Sequence, residues 1–412
     1  MKSSFLQDLQ TRGLLFQATD IEALDALFLN KEPVVAYIGF DPTATSLHVG
    51  NLSQIMTLRL LQQHGHKPIV LIGGATAQVG DPSGKDEMRQ QNSDETIAKN
   101  IAGIKESFSK FLKFGNGPTD AVLVNNADWL MGIKYIDFLK EYGRHFSVNR
   151  MLSFDSVKSR LDREQPLSFL EFNYMILQAY DFMELFKKHQ CVLQLGGSDQ
   201  WGNIVNGVEL TRRVLGQLVF GLTSPLITTS SGAKMGKTAK GAIWLNADML
   251  SPFEYWQFWR NTDDADVIRY MKIFTDFTTD DIAKFAKLEG SALNDAKIAL
   301  ADAATTMCHG VQTLTEIHAQ VQAAFGKGSE EDLPTKWVEE SQIDIPTLET
   351  LLVASGLCAS KGEAKRLAQG GGLRVNGEQV TDARLEIDVL ALRVTPIKIS
   401  LGKKQHCLVQ VK

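Results

Sequence analysis

Val34-Val35-Ala36-Tyr37-Ile38-Gly39-Phe40-Asp41-Pro42-Thr43-Ala44-Thr45-Ser46-Leu47-His48-Val49-Gly50-Asn51 is the stretch that decides the fold. An apolar run of strand length, Val34 to Phe40, passes through an Asp-Pro turn to a helix start at His48. The segment Leu52 to His64 that follows has the length of a crossover helix. Pro68-Ile69-Val70-Leu71-Ile72-Gly73, Ala121-Val122-Leu123-Val124 and Cys191-Val192-Leu193-Gln194-Leu195 read as further buried strands. Strands alternating with longer helical stretches predict an α/β fold, a Rossmann-like doubly wound parallel sheet. Ligands of such sheets lie beyond the strand carboxyl ends, where Asp41, Gly73-Gly74 and Gly196-Gly197 fall.

The chain has 412 residues, long for one core, so two or three domains are expected. Its 44% hydrophobic and 22% charged content is that of an ordinary soluble globular protein. No uninterrupted apolar run approaches the roughly 18 residues of a membrane span, and Met1 to Asp8 has no secretory h-region. Cys191, Cys308, Cys358 and Cys407 are isolated, so neither a disulfide framework nor a metal knuckle is readable, and a cytoplasmic location is expected.

Charge is uneven. Residues 346–412 carry ten Lys or Arg against six acids, a net +4, whereas the remaining 345 residues carry −9. A basic tail on an acidic body fits a polyanionic partner, and equally a solvated surface of modest charge.

After Ser251 the texture turns helical. Ser251-Pro252-Phe253-Glu254 is a capping box with Pro at the first helical position, and similar starts recur near Thr278 and Ser291. Gly326 to Pro334 is polar and Gly-containing. Pro346 to Ala354 and Ser360 to Gln369 predict two short helices, and Asn376-Gly377 predicts a hairpin. The resulting division is a catalytic α/β domain over 1–225, a loop and connector over 226–250, an all-helical domain over 251–327, a linker over 328–345 and a small α+β domain over 346–412.

Several groups of residues suggest chemistry. The turn His48-Val49-Gly50-Asn51 offers a helix N-terminus for phosphate, with Gly50 removing a side chain at the point of approach. A histidine there is also an ordinary cap. Lys234-Met235-Gly236-Lys237-Thr238 is not a P-loop, since only three residues separate Gly232 from Gly236 and the segment lies past the middle of the chain. Its two lysines still suit a pyrophosphate, as they would a solvated turn. On the greasy helix from Leu167 to about His189, Tyr174, Gln178 and Asp181 recur at i, i+4 and i+7 and form one polar stripe. Such groups need partners, from the core or from a bound polar molecule. Asp81 and Asp199-Gln200 follow Gly-rich turns, positions that suit ribose hydroxyls or turn chemistry alone.

Taken in order, these segments resemble the bacterial and organellar tyrosyl-tRNA synthetases, a family of class I aminoacyl-tRNA synthetases, over essentially the whole chain. The residues carrying the resemblance are Tyr37 to Thr43, His48 to Asn51, Gly80-Asp81-Pro82-Ser83-Gly84-Lys85, Tyr174 to Asp181, Gly196 to Ile204 and Lys234 to Thr238. The tail resembles the alpha-L RNA-binding module. The resemblance implies that Tyr37 and Asp181 contact the phenol of tyrosine, that Asp81, Tyr174 and Gln178 hold its ammonium, and that Gln194 and Gln200 shape the carboxylate and ribose region. It implies ATP contacts from Asp41, Thr43, His48, Gly50, Asn51, Asp199 and Gln200, with Lys234, Lys237 and Thr238 over the pyrophosphate. His48, Thr43, Lys234 and Lys237 are then the catalytic set. Mg²⁺ is expected with ATP, with no protein ligand assigned.

The implied partners are tRNA(Tyr), approached by Lys361, Lys365, Arg366 and Arg374, and a second subunit in a homodimer. Both signatures depart from the family pattern. Asn51 stands where the first signature usually ends in His, and Gly236 and Thr238 replace the serines of the lysine signature. A tryptophan-specific relative and an RNA-binding factor without catalysis are the rival readings. Tyr37 with Asp181 argues against the first, and His48, Asp81, Asp199, Lys234 and Lys237 argue against the second.

Overall fold

The computed structural model describes residues 1–83, 93–232, 235–238, 241–325, 333–402 and 405–412. It divides into two compact units, Met1–Gly310 and Val311–Lys412. The predicted strands are present within a residue or two: β2 Val35–Phe40, β3 Lys67–Ile72, β4 Val122–Asn125 and β5 Leu193–Gly197. Two were not foreseen, β1 Gln17–Ala18 and β6 Phe220–Ser224. The sheet order is β1-β6-β5-β2-β3-β4, parallel except for β1 on β6.

β6 escaped the sequence reading because Gly221 interrupts its apolar run. A Cβ there would lie 2.3 Å from Ile204 Cγ2, so the glycine lets a helix sit directly on the strand. The order reverses between β2 and β5, which opens a crevice at their carboxyl ends. Their register pairs Tyr37 with Gln194, placing the two side chains together on one face.

The polar-striped helix runs Phe169–His189 and is capped as its sequence dictates. Ser168 Oγ accepts from Glu171 N, and Ser168 N donates to Glu171. The buried Arg160–Glu171 ion pair (3.0 Å) ties this cap to the preceding helix. Helix Trp201–Leu215 crosses it closely at Gly207, where a Cβ would be 2.9 Å from the Phe182 ring. Tyr37, Met175, Ala179, Phe182 and Met183 form part of the core on this side of the sheet. Helix Val49–Gln63 buries Leu52, Ile55, Met56 and Leu60.

Helices Pro252–Arg260, Val267–Phe274, Thr279–Phe285 and Leu293–His309 complete the first unit, around the buried Trp259 ring. Ser251 and Thr278 cap as expected. Ser291 does not: it lies in a 3-10 turn, Gly290–Ala292, and the helix begins two residues later. Within the segment read as a connector, β7 Lys237–Thr238 and β8 Gly241–Ala242 form a two-stranded ribbon.

The second unit corrects two boundaries. Helix Val311–Phe325, read from sequence as the end of the helical domain, belongs to this unit. The supposed linker contains β9 Thr335–Val338, which pairs in parallel with β13 Gln405–Val411. With β10 Leu373–Val375, β11 Glu378–Gln379 and β12 Ile397–Leu401, the sheet order is β11-β10-β12-β13-β9. β9 is hidden in the sequence because three of its four residues are exposed and only Val338 enters the core. Helices Leu348–Ala354 and Lys361–Gln369 cover the sheet, the second capped by Ser360. Asn376 (φ 47°) and Gly377 (φ 86°) make the predicted β10–β11 turn.

Because Val338 is fully buried, its loss should destabilise the module by roughly 2 kcal/mol or more. A fragment of residues 333–412 is therefore expected to melt cooperatively, about 10 °C above a fragment of residues 346–412. Equal melting temperatures would remove β9 from the domain.

Candidate active site

A cleft of about 600 Å³ opens at the carboxyl ends of β2 and β5. It gathers residues from distant parts of the first unit: Tyr37, Asp41, Thr43, His48, Gly50, Asn51, Asp81, Tyr174, Gln178, Asp181, Gln194, Asp199 and Gln200 all line it. Lys234 lies outside the described residues, and Lys237 and Thr238 are described only in their backbone.

The floor of the cleft is a chain of buried hydrogen bonds. Asp181 is 2% exposed and accepts from Trp129 Nε1 (2.7 Å) and Asn126 Nδ2 (3.0 Å). The same Asn126 amide donates to Thr76 Oγ1 (3.0 Å), which donates to Asp41 (3.0 Å). The Tyr174 hydroxyl also reaches Asp41, at 3.3 Å. Burial pushes the Asp181 carboxyl up to about 7, against the two N–H donors, and the charge of Asp41 adds to the rise. Burial and the neighbouring Asp181 charge raise the Tyr37 phenol well above its ordinary range.

Among the polar atoms with no hydrogen-bond partner among the described residues are the Tyr37 hydroxyl and Gln194 Oε1. Both residues are buried, and they are the register pair on β2 and β5. An unpaired buried polar atom costs about 1–3 kcal/mol, so this pair marks where a polar ligand group would be accommodated.

A second ring forms the upper wall. Gln200 Nε2 donates to Asp81 (2.8 Å), and Gln178 Nε2 to Gln200 Oε1 (3.4 Å). Asn203 Nδ2 donates to both Gln178 (3.2 Å) and Gln200 (3.1 Å). Gln200, assigned from the resemblance to the nucleotide, is thus bound to a residue of the amino-acid group. Close backbone approach shapes this wall too: a Cβ on Gly73 would lie 2.1 Å from the Asp41 carboxylate.

The helix start at His48 differs from the sequence reading. Its leading N–H groups are engaged within the chain: Val49 N with Ile243 O (2.9 Å), Gly50 N with His48 Nδ1 (3.0 Å) and Asn51 N with His48 O (2.8 Å). Asn51 Oδ1 in turn accepts from His48 N (3.3 Å), closing a capping box. Asn51, the atypical end of the first signature, therefore has a structural task that an amide can perform. This helix start presents its dipole and side chains rather than an open nest of N–H groups.

The two signatures touch. Gly236 (φ 91°) packs on Gly50, and a Cβ at 236 would lie 2.6 Å from Gly50 N. The reverse also holds, since a Cβ on Gly50 would lie 3.0 Å from Met235 O. Ile243 N bonds Gly236 O (3.1 Å), and the Trp244 ring lies edge-on to His48. Gly236 is thus required by sterics and backbone angle in this arrangement.

Asn126, Trp129, Thr76 and Asn203 were not found from sequence. Asn126-Ala127-Asp128-Trp129 follows β4, and the position of a polar residue just past a strand end was the available signal. In the second unit, Lys361 pairs with Asp344 (3.2 Å) and Lys365 with Glu349 (3.3 Å). Arg374 donates to Gly377 O (3.0 Å), while Arg366 is exposed.

A doubly wound sheet with a polar-floored cleft at its reversal point, closed by a helix start and a glycine-hinged lysine segment, defines a nucleotide-fold enzyme that takes a small polar substrate. Residues 29–326 match the tRNA synthetases class I (W and Y), and residues 347–389 match the S4 domain. The chain is 57% identical over 411 residues to the tyrosine–tRNA ligase of Caulobacter vibrioides, covering 99% of this chain and 98% of that one. It is 58% identical over 410 residues to that of Zymomonas mobilis, covering 99% and 98%. A C-terminally truncated mitochondrial tyrosyl-tRNA synthetase of Aspergillus nidulans superposes with a TM-score of 0.70 at 31% identity, covering 79% of this chain and 95% of that one. The chain belongs to the class I tRNA synthetases of the W and Y family.

The Asp181 carboxyl yields a pH test. Its ordinary value is 3.8 and its folded value about 7. Between those limits the folded chain keeps a proton the unfolded chain has released, so stability falls as pH rises from about 4 to about 7 and is level above. The unfolding free energy of wild type minus that of Asp181→Asn, from urea denaturation, should decline across that window. A difference constant between pH 4 and 8 would contradict the buried carboxyl.

Proposed function

We infer that this chain is a tyrosine–tRNA ligase: it activates L-tyrosine with ATP to tyrosyl-adenylate and pyrophosphate, then transfers tyrosine to the 3′-terminal adenosine of tRNA(Tyr). The observation carrying this reading is the pairing of a buried Tyr37 hydroxyl, without a partner among the described residues, with the anchored Asp181 carboxylate on one cleft. A donor–acceptor hydroxyl and a carboxylate suit a phenol, which donates to one and accepts from the other. Phenylalanine would offer the Tyr37 hydroxyl no acceptor and Asp181 no further donor, and an indole N–H could satisfy only an acceptor.

Asp81, Tyr174 and Gln178 then surround the ammonium, with Gln200 and Asn203 fixing their orientation. Gln194 is the register partner of Tyr37 and lines the same cleft. Asp41, Thr43, His48, Gly50, Asn51 and Asp199 line the portion left for ATP, which enters as its magnesium complex. Lys234, Lys237 and Thr238 stabilise the leaving pyrophosphate.

One tyrosine carboxylate oxygen bonds the α-phosphorus, the bond to the bridging oxygen breaks, and pyrophosphate departs with the electron pair. A ribose hydroxyl of the tRNA then attacks the carbonyl carbon of the anhydride and displaces AMP. Neither step needs a protein nucleophile, so catalysis rests on positioning and on cations aimed at developing charge.

The S4 domain brings tRNA contacts from Lys361, Lys365, Arg366 and Arg374, and the chain works as a homodimer. Large exposed apolar side chains are concentrated between 131 and 170, among them Met131, Ile136, Val148 and Phe169. A mass near 45.6 kDa at micromolar concentration would contradict the dimer. No helix among the described residues is long and apolar enough to cross a membrane, and we place the enzyme in the cytoplasm.

Amino-acid-dependent ATP–pyrophosphate exchange tests the assignment. Tyrosine should support exchange, with phenylalanine and tryptophan lower by about two orders of magnitude or more; a response to tryptophan alone would refute it. Removing residues 333–412 should leave the exchange rate within about twofold and lower tRNA charging by more than tenfold, with a shallower salt dependence of tRNA affinity. Undiminished charging would separate the S4 domain from tRNA.

A further inference from the structure

The segment that carries the lysine signature begins at an anchored arm. Ser230 N donates to Asp266 Oδ2 (2.8 Å), and the Arg269 guanidinium donates to the Thr228 carbonyl. Arg269 also pairs with Asp266 Oδ1 (2.6 Å), and lies over the Tyr270 ring at 5.2 Å. Ser230 Oγ reaches Asp263 at 3.5 Å. One carboxylate and one guanidinium thus read two backbone groups of the arm, a carbonyl and an amide two residues apart, from positions i and i+3 at the start of helix Val267–Phe274. Asp266 is only 3% exposed and is the N-cap residue of that helix, where negative charge is favoured.

The arm leads directly to the cleft. Ile227, one residue before Thr228, lines it, and Ile227 O accepts from Met235 N (3.2 Å). Beyond Met235 the chain rests on Gly50 through Gly236. Asp266 and Arg269 are not among the residues lining the cleft. Their fork of charge-assisted bonds fixes the direction in which the loop leaves the helical region.

We propose that Asp266 and Arg269 are positioning residues for adenylate formation, a latch holding the base of the lysine-signature loop so that its lysines meet the polyphosphate. This rests on the tyrosine–tRNA ligase reading. The latch acts on the ATP half of the reaction and leaves tyrosine binding alone, because every contact it makes to the loop lies on backbone outside the amino-acid floor.

The experiment uses the full chain, with single-turnover tyrosyl-adenylate formation measured against ATP concentration and tyrosine dissociation constants measured separately. Arg269 is 42% exposed in its side chain, so Arg269→Ala should fold. It should slow adenylate formation by about tenfold or more with tyrosine affinity within about twofold of wild type. Asp266→Asn, which keeps an acceptor for Ser230 N and loses the ion pair, should shift the rate in the same direction by less.

Lys237→Ala supplies a readout that a general structural role would not move. In that background the effect of Arg269→Ala should shrink to less than about twofold, since both act through one loop. Rates equal to an active wild type, tyrosine affinity falling in step with the rate, or effects that multiply in the Lys237→Ala background would each overturn the latch alone. A wild-type chain that forms no tyrosyl-adenylate would defeat the functional reading and the latch together.

Discussion

The buried Asp181 carboxylate is the constraint on which the site depends. A charge at that depth is costly unless its oxygens are satisfied, and here Asn126 and Trp129 satisfy one each. Those donors come from the segment after β4, whereas Asp181 comes from the helix Phe169–His189, so the pairing fixes that helix against the sheet edge. Asn126 carries the same order through Thr76 to Asp41 at the end of β2. Three loops and one helix are thereby held by a single polar chain, while the Tyr37 hydroxyl and Gln194 Oε1 are left without a partner among the described residues.

The nucleotide side is organised by close backbone packing instead. Gly50 and Gly236 meet where neither can carry a side chain, and the capping box of His48 and Asn51 occupies the first N–H groups of the helix. Two of the three residues that looked atypical as signature positions have structural tasks here. Asn51 closes the cap, and Gly236, at φ 91°, lets the lysine segment lie on the helix start. The two segments are placed against each other by their own backbones, at one end of the cleft.

Much of this was legible in the sequence, for physical reasons. Buried parallel strands are continuous apolar runs, so β2, β3, β4 and β5 stand out, and a polar stripe on an apolar helix announces groups that need partners. β6 was missed because Gly221, needed for close contact with Ile204, breaks the run. β9 was missed because an edge strand with one buried residue has no pattern to read. Asn126 and Trp129 act as orienting partners, and nothing in the sequence says which polar residue will meet which carboxylate across more than 50 positions. The engagement of Val49 N was equally invisible, since its partner Ile243 O lies almost 200 residues away.

Trp129→Phe tests the central claim most directly, because it removes one donor to Asp181 while keeping an aromatic ring that does not line the cleft. The measurement is kcat/KM in pyrophosphate exchange for tyrosine and for phenylalanine. If the anchored carboxylate recognises the phenol, the value for tyrosine falls by about tenfold and that for phenylalanine stays within about twofold, so discrimination collapses by the difference. Equal losses for both amino acids, or no loss for tyrosine, would contradict it.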